Sequence, residues 1–184
     1  MLVEVIKRFI YWRHVDRIGP DIPLTHWRLH FKSTADKLCK KKFAKFGIHS
    51  EFRPGSFAVT CSRIEIGEHV VIRPGCFLFA DPSDSGGNIV IGDHVLIGSG
   101  VHFYTTNHAF SNTEIPIFFQ GYPDRTSLDS ISIGKGSWIG ANCVILAGVN
   151  IGQNSVVGAG AVVTKSFPSG VVIGGNPARV IKHI

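Results

Sequence analysis

Long apolar runs are missing from this 184-residue chain, as are paired cysteines and any excess of acid. No stretch approaches the roughly 18 apolar residues of a membrane span. Residues 1–13 are interrupted by Glu4, Lys7 and Arg8, unlike a signal peptide. A soluble, cytoplasmic protein is therefore expected. The four cysteines, Cys39, Cys61, Cys76 and Cys143, show no paired metal spacing, so no metal is expected and they read as reduced, buried, small apolar residues. Thirteen Asp and Glu stand against nineteen Lys and Arg, a formal charge of +6 that favours an anionic ligand. The basic residues gather in residues 37–45 and near the C-terminus without a recognised nucleic-acid motif, and no nucleic-acid partner is expected. Lys40, Lys41 and Lys42 fit either a solvated face or a weak contact with an anionic membrane surface.

What the chain does have is a beat. In residues 131–166 an aliphatic recurs every six positions, at Ile133, Ile139, Ile145, Ile151, Val157 and Val163. Three places after the first five come Gly136, Asn142, Gly148, Asn154 and Gly160, the residue types that most readily adopt φ > 0. One place further on sit Ser137, Cys143, Val149, Ser155 and Ala161, small enough to share an interior. Six is not a helical period, but it is three strand steps, so alternate residues keep facing one side. Short strand, bend, short strand is the pattern of a parallel β-helix, in which each coil buries its apolar side only by stacking on the next.

Three hexads close a coil. The beat extends backwards through Phe103, Ile97 and Ile91 to Leu78, Ile72 and Ile66, and in degenerate form to Thr60, Pro54 and Ile48, for about five coils in all. Corners then fall at His69, Gly75, Asp81, His94 and Gly100. Seven extra residues interrupt the phase within the Gly- and Ser-rich segment 81–88. A second interruption, a protruding loop over about 107–130, is long enough to expect a function. Residues 1–47 lack the hexad and carry helical patterns instead: Val3, Ile6 and Ile10 mark one helix, and Leu24, Trp27, Phe31, Ala35 and Leu38 a second, ended by Gly47. A capping box at Ser33 and Asp36 would divide that second helix. The expected organisation is a helical cap over residues 1–47 covering the open first coil of a β-helix domain over residues 48–184.

From about residue 48 onward the chain resembles the hexapeptide-repeat acyltransferases. Within them it is similar to the sugar O-acetyltransferases related to galactoside and maltose acetyltransferases and to those of surface-polysaccharide biosynthesis. The residues that carry the resemblance are Ile91-Gly-Asp-His-Val-Leu-Ile-Gly, Thr105-Thr-Asn-His108, Gly136-Ser-Trp138-Ile-Gly-Ala-Asn, Gly158-Ala-Gly-Ala-Val-Val-Thr164-Lys165 and the tail Gly175-Asn-Pro-Ala-Arg179-Val-Ile. The resemblance implies an all-β, left-handed parallel β-helix, a homotrimer with active sites between subunits, and acetyl-CoA as co-substrate. Periodicity alone does not give the hand, and left-handedness runs against the usual right-handed crossover.

The same resemblance makes His108 the catalytic residue, with Asn107 beside it. An imidazole suits the task, since transfer to a hydroxyl needs a base able to take a proton near neutral pH. Trp138 matches a wall for the donor's pantetheine arm, and the backbone N–H of Ala141 a donor at the thioester end. Ala159, Thr164, Lys165, Arg179 and Lys182 match positions that bind the remainder of CoA. Asp81, Asp84 and Asn88 are candidates for acceptor contacts, in a segment where the chain departs from the galactoside and maltose enzymes. Glu114 is a candidate to orient the imidazole. The expected activity is acetyl transfer to a hydroxyl of a sugar or glycan precursor. The alternatives are N-acetylation of an amino sugar or other small acceptor, a non-catalytic scaffold, and a zinc hydratase using His94, His102 and His108.

Overall fold

The computed structural model describes residues 1–83, 85–123 and 129–184. A hexad leaves room for only two or three extended residues before each corner, and short strands stacked in three parallel ladders are the result. Face A contains β1 (Arg17–Ile18), β4 (Phe57–Val59), β7 (Phe77–Phe79), β10 (His102–Tyr104), β13 (Val144–Ile145) and β16 (Val162–Val163). Face B contains β2 (Lys45–Phe46), β5 (Ile64–Ile66), β8 (Ile89–Ile91), β11 (Ile131–Ile133) and β14 (Asn150–Ile151). Face C contains β3 (Glu51–Phe52), β6 (Val71–Ile72), β9 (Leu96–Ile97), β12 (Trp138–Ile139), β15 (Val156–Val157), β17 (Val171–Gly175) and β18 (Ala178–His183). All pairings are parallel except β1 on β4 and β18 on β17, the strands that close the two ends.

The aliphatic beats stack in register. Ile66, Ile91, Ile133 and Ile151 align on face B, and Ile72, Ile97, Ile139 and Val157 on face C. Leu78, Phe103, Ile145 and Val163 align on face A. These side chains form one continuous core in which Phe103 is among the largest fully buried groups. The corners adopt the conformation their residue types allow: φ is positive at His69, Gly75, His94, Gly100, Gly136, Asn142, Gly148, Asn154 and Gly160. Asp81 is the exception. It has no positive φ but lies buried where the chain leaves the coil.

The first rung differs from the expected phase. Its beats are Phe46, Phe52 and Ala58, paired with Ile66, Ile72 and Leu78, rather than Ile48, Pro54 and Thr60. The physical reason is a 3-10 turn at Cys61–Arg63, entered through Thr60 at φ 56°, which adds two residues between this rung and the next. His49 therefore becomes a corner residue, with φ 58°, and its ring stacks on that of His69. Beyond the fifth rung, Phe167 bridges to Ile151 and β17 continues face C on β15, so the stack runs on into a partial sixth turn.

The N-terminal helices are α1 (Leu2–His14), α2 (Pro23–His26) and α3 (Lys32–Lys42). Between α2 and α3 a 3-10 turn, Trp27–His30, ends at extended Phe31. The second helical pattern is thus divided at Phe31, without a side-chain cap, and it ends at Lys42 ahead of β2 rather than at Gly47. Leu38, Cys39 and Phe43 join the core, and Phe43 sits 5.8 Å from Phe46 and 5.4 Å from Phe52 between ring centroids. This plug shields the first rung from water.

The corner rule is testable at Asn154, where φ is 51°. A β-branched side chain is strained there, so Asn154→Val should cost about 1–2 kcal/mol. Asn154→Gly should cost under about 1 kcal/mol. Urea unfolding of the two variants checks the order.

Candidate active site

Each turn of the coil has three edges, and the residues singled out by chemistry sit on two of them and on one face. The edge between faces A and B carries both long insertions. Thr105, the first residue after β10, is buried, and its hydroxyl accepts the backbone N–H of Asp81 at 2.9 Å. Asp81 is itself buried, and its Oδ1 accepts the N–H of Ser83 at 2.7 Å. A Cβ on Gly86 would lie 2.5 Å from the Asp81 side chain, so glycine permits this fold-back. At the other end of segment 81–88, the N–H of Asn88 donates to Ser130 Oγ at 3.0 Å. Asp81 and Asn88 thereby pin this segment to both roots of the longer loop. Asp84 lies outside the described residues.

From Thr105 the longer loop passes through exposed Asn107 and His108. The N–H of Ala109 donates to the carbonyl of Gly121 at 3.0 Å, which draws the two limbs together. Gln120, at the end of the short helix α4 (Ile117–Gln120), donates through Nε2 to the carbonyls of Asn112 and Ile115 at 2.8 and 2.7 Å. Tyr122 then stacks on His108, with centroids 4.7 Å apart and planes at 22°. This contact holds the imidazole by its face, and among the described residues no hydrogen bond reaches its ring nitrogens. Tyr122 carries no signal in the sequence, because no local spacing marks a partner fourteen residues away. Among the described residues, no hydrogen bond joins Glu114 to His108; the N–H of Glu114 donates to Asn112 Oδ1 at 2.9 Å.

A second group lies on face C. Trp138 is 53% exposed between Leu96 and Val156 of the flanking strands. The corner after β12 brings Ala141 to the edge between C and A, and Ala159 occupies the equivalent place one rung on. A Cβ at Gly140 would come within 2.5 Å of the Ala159 nitrogen, so the two corners are in contact through glycine. Among the described residues, neither the N–H of Ala141 nor that of Ala159 has an intramolecular acceptor, although the carbonyl of Ala141 accepts the N–H of Gly160 at 2.8 Å. Arg179 and Lys182 extend from β18 opposite Gly174 and Val172, on the same face. Thr164 and Lys165 are exposed on the A/B edge, two rungs beyond the root of the His108 loop, and Lys165 Nζ lies 5.8 Å from the centroid of Phe167.

The remaining histidines fall into structural roles. His102 stacks on Phe77 at 5.1 Å, and its Nδ1 is 2.8 Å from the Tyr104 hydroxyl, in an aromatic column on the outside of face A. His94 turns the B/C corner beneath His69. His94, His102 and His108 thus occupy a corner, a face and a loop, and do not converge as three ligands of one ion would.

Cys143 is buried, with Sγ 3.1 Å from the carbonyl of Gly158, facing the core and away from any surface where a donor would lie.

A sequence profile described as the hexapeptide repeat of succinyl-transferase matches residues 130–165, the most regular part of the coil. Protein CapG of Staphylococcus aureus is 48% identical over 111 residues, covering 59% of this chain and 62% of CapG. Galactoside O-acetyltransferase of Escherichia coli is 34% identical over 154 residues, covering 81% of this chain and 68% of that protein. The chain belongs to the hexapeptide-repeat acetyltransferases. A solved member from Vibrio cholerae, in complex with acetyl coenzyme A, superposes with a TM-score of 0.71 at 28% identity, covering 89% of each chain. Membership of this family implies a left-handed coil. It also fits an interior filled by the repeat, with chemistry confined to edges, outer faces and insertions.

Burial raises the thiol of Cys39 to about 12 and that of Cys76 to about 11, and pushes Cys61 and Cys143 up as well. Since the thiolate is the reactive form, all four cysteines should resist a disulfide reagent at pH 8 in the folded protein and titrate together once it is unfolded. A rapid first equivalent in the native state would contradict the inward placement.

Proposed function

We propose that this protein transfers an acetyl group from acetyl-CoA to a hydroxyl of a sugar or glycan precursor, at sites shared between neighbouring subunits of a homotrimer. The observation that carries this reading is the separation of the two groups within one chain. His108 stands on the A/B edge, whereas Trp138, Arg179 and Lys182 stand on face C, the side of a three-sided coil opposite that edge. A single rigid prism does not bring them together. A second copy does, if its face C meets the A/B edge of the first, and three such contacts close a ring. The loop that carries His108 also exposes Phe110, Phe118 and Phe119, apolar surface suited to packing against such a neighbour.

In this arrangement one subunit supplies His108, Asn107, Thr164 and Lys165. The adjacent subunit supplies Trp138, Ala141, Ala159, Arg179 and Lys182. The indole walls the pantetheine arm, and the cationic side chains meet the CoA phosphates. The imidazole of His108 takes the proton of the acceptor hydroxyl as its oxygen attacks the thioester carbonyl. The N–H of Ala141 donates to the tetrahedral oxyanion. Collapse breaks the C–S bond, and the departing thiolate takes the proton back from the imidazolium. Asp81 and Asn88 shape the acceptor side by fixing the loop roots. The sugar acceptor is supported by the similarity to a galactoside O-acetyltransferase and by the placing of a base at an exposed loop.

Thiol release from acetyl-CoA against a panel of sugars, amino sugars and sugar nucleotides tests the reaction. His108→Ala should lower kcat by roughly 10² to 10⁴ in a folded protein. Turnover confined to amino sugars would replace O- by N-acetylation, CoA binding without turnover on any acceptor would point to a larger or lipid-linked acceptor, and no CoA binding at all would favour a scaffold.

The shared site has a sharper test. His108→Ala and Trp138→Ala damage different halves of one interface, so unfolding and reassembling them in equal amounts should regenerate intact sites. In a ring with random mixing about one interface in four receives both native residues, and activity should return to about a quarter of the parental value. No recovery from verified mixed trimers would place both residues in one subunit's site.

A further inference from the structure

We propose that helix α1 docks the protein on an anionic lipid bilayer, with the apolar side of the helix at the acyl boundary and the lipid phosphates in the crevice beside it. The proposal is independent of the acetyl-transfer reading. No residue of α1 is buried, although the helix is rich in large apolar side chains. At 100° per residue, Leu2, Val5, Ile6, Phe9 and Trp12 share one side, with Val3 and Ile10 at its margin and Arg13 entering it only in the last turn, where it lines the crevice. Glu4, Lys7, Arg8, Tyr11 and His14 occupy the other. Ile6, Phe9 and Ile10 are 51%, 50% and 54% exposed. A thirteen-residue helix is too short to span a bilayer, and no helix among the described residues is long and apolar enough to do so. Its length and two-sidedness suit the interface plane instead.

Charge identifies the occupant. A crevice of about 390 Å³ lies between α1, α2 and α3, walled by Phe9, Trp12, Leu24 and Leu38, and Arg13, Arg28, Lys41 and Lys42 all line it. Lys42 Nζ donates to the carbonyl of Val15 and so ties α3 to the end of α1. Lys40 is different: Asp36 pairs with it at 2.9 Å. Among the described residues no carboxylate pairs with Arg13, Arg28, Lys41 or Lys42. Four cations converging beside an exposed apolar helix would repel the same surface of a second copy in a two-fold contact. An anionic bilayer satisfies both features together, since its phosphates neutralise the cations while the apolar side chains leave water. Trp12, on the apolar side, is an aromatic type that settles at such an interface.

Sedimentation with large vesicles tests this on the full chain. The protein should bind vesicles of phosphatidylglycerol mixed with phosphatidylcholine and not vesicles of phosphatidylcholine alone. Because α1 buries nothing, Ile6→Asp/Phe9→Asp should keep the circular dichroism of the parent and lose the binding. Arg13→Gln and Lys41→Gln should each weaken it about fivefold at low salt. Failure of the parent to bind the anionic vesicles, or equal binding by the Ile6→Asp/Phe9→Asp variant, overturns the proposal. So does a larger assembly that forms without lipid and is lost in that variant while vesicles go unbound, which would assign the helix to a second copy.

Discussion

The molecule depends on the fact that no rung of the coil can bury its own aliphatic residues. Ile133 is covered only because Ile91 lies on one side and Ile151 on the other, and every beat repeats that dependence. The geometry that makes it possible is the corner: a turn every six residues, closed by glycine, asparagine or histidine at positive φ. Any insertion must respect both demands. The chain therefore leaves the coil at an edge and returns to it in phase, as segment 81–88 does: Leu78 before it aligns with Phe103 on face A, and Ile91 after it aligns with Ile66 on face B. The interior is fully committed to packing, and chemistry is displaced to edges, outer faces and loops.

That division explains which features were legible in the sequence. From Ile66 onward the beat, the two interruptions and every corner but Asp81 follow from spacing alone, because the same physical requirement recurs often enough to be seen. The first rung escapes the pattern because it breaks the rule in two ways. Its beats are Phe46, Phe52 and Ala58, two aromatics and an alanine with no branched aliphatic among them, and the Cys61–Arg63 turn shifts them against everything that follows. The end of α3 is hidden for a related reason: Gly47 reads as a helix stop when Lys45 and Phe46 are already a strand of the coil. Left-handedness was carried by the family and by no residue pattern.

The candidate residues stand out singly in the sequence, but their arrangement does not. His108 stands out because an imidazole opens a loop that has no packing reason to be there, and Trp138 because its neighbour in the beat faces inward. Neither fact says that they lie on opposite sides of the prism. That follows only once Phe103 is assigned to face A and Ile139 to face C, an assignment that requires the full register of the ladders. The stacking of Tyr122 on His108 and the buried anchor of Asp81 on Thr105 are tertiary contacts across long stretches of chain, and no local period encodes them.

A scaffold this regular places a constraint on the chemistry proposed for it. A hinged enzyme can bring distant groups together by closing, whereas stacked rungs in register leave no hinge between the A/B edge and face C. On the proposed reading, association takes the place of closure: the groove exists where two prisms meet, and the His108 loop, clipped by Ala109 and Gly121 and braced by Gln120, supplies the part of the wall that the flat faces lack. The base and the donor surface then belong to different copies, and the rigidity that prevents a lone chain from assembling the site is what fixes their relative position once the ring has formed.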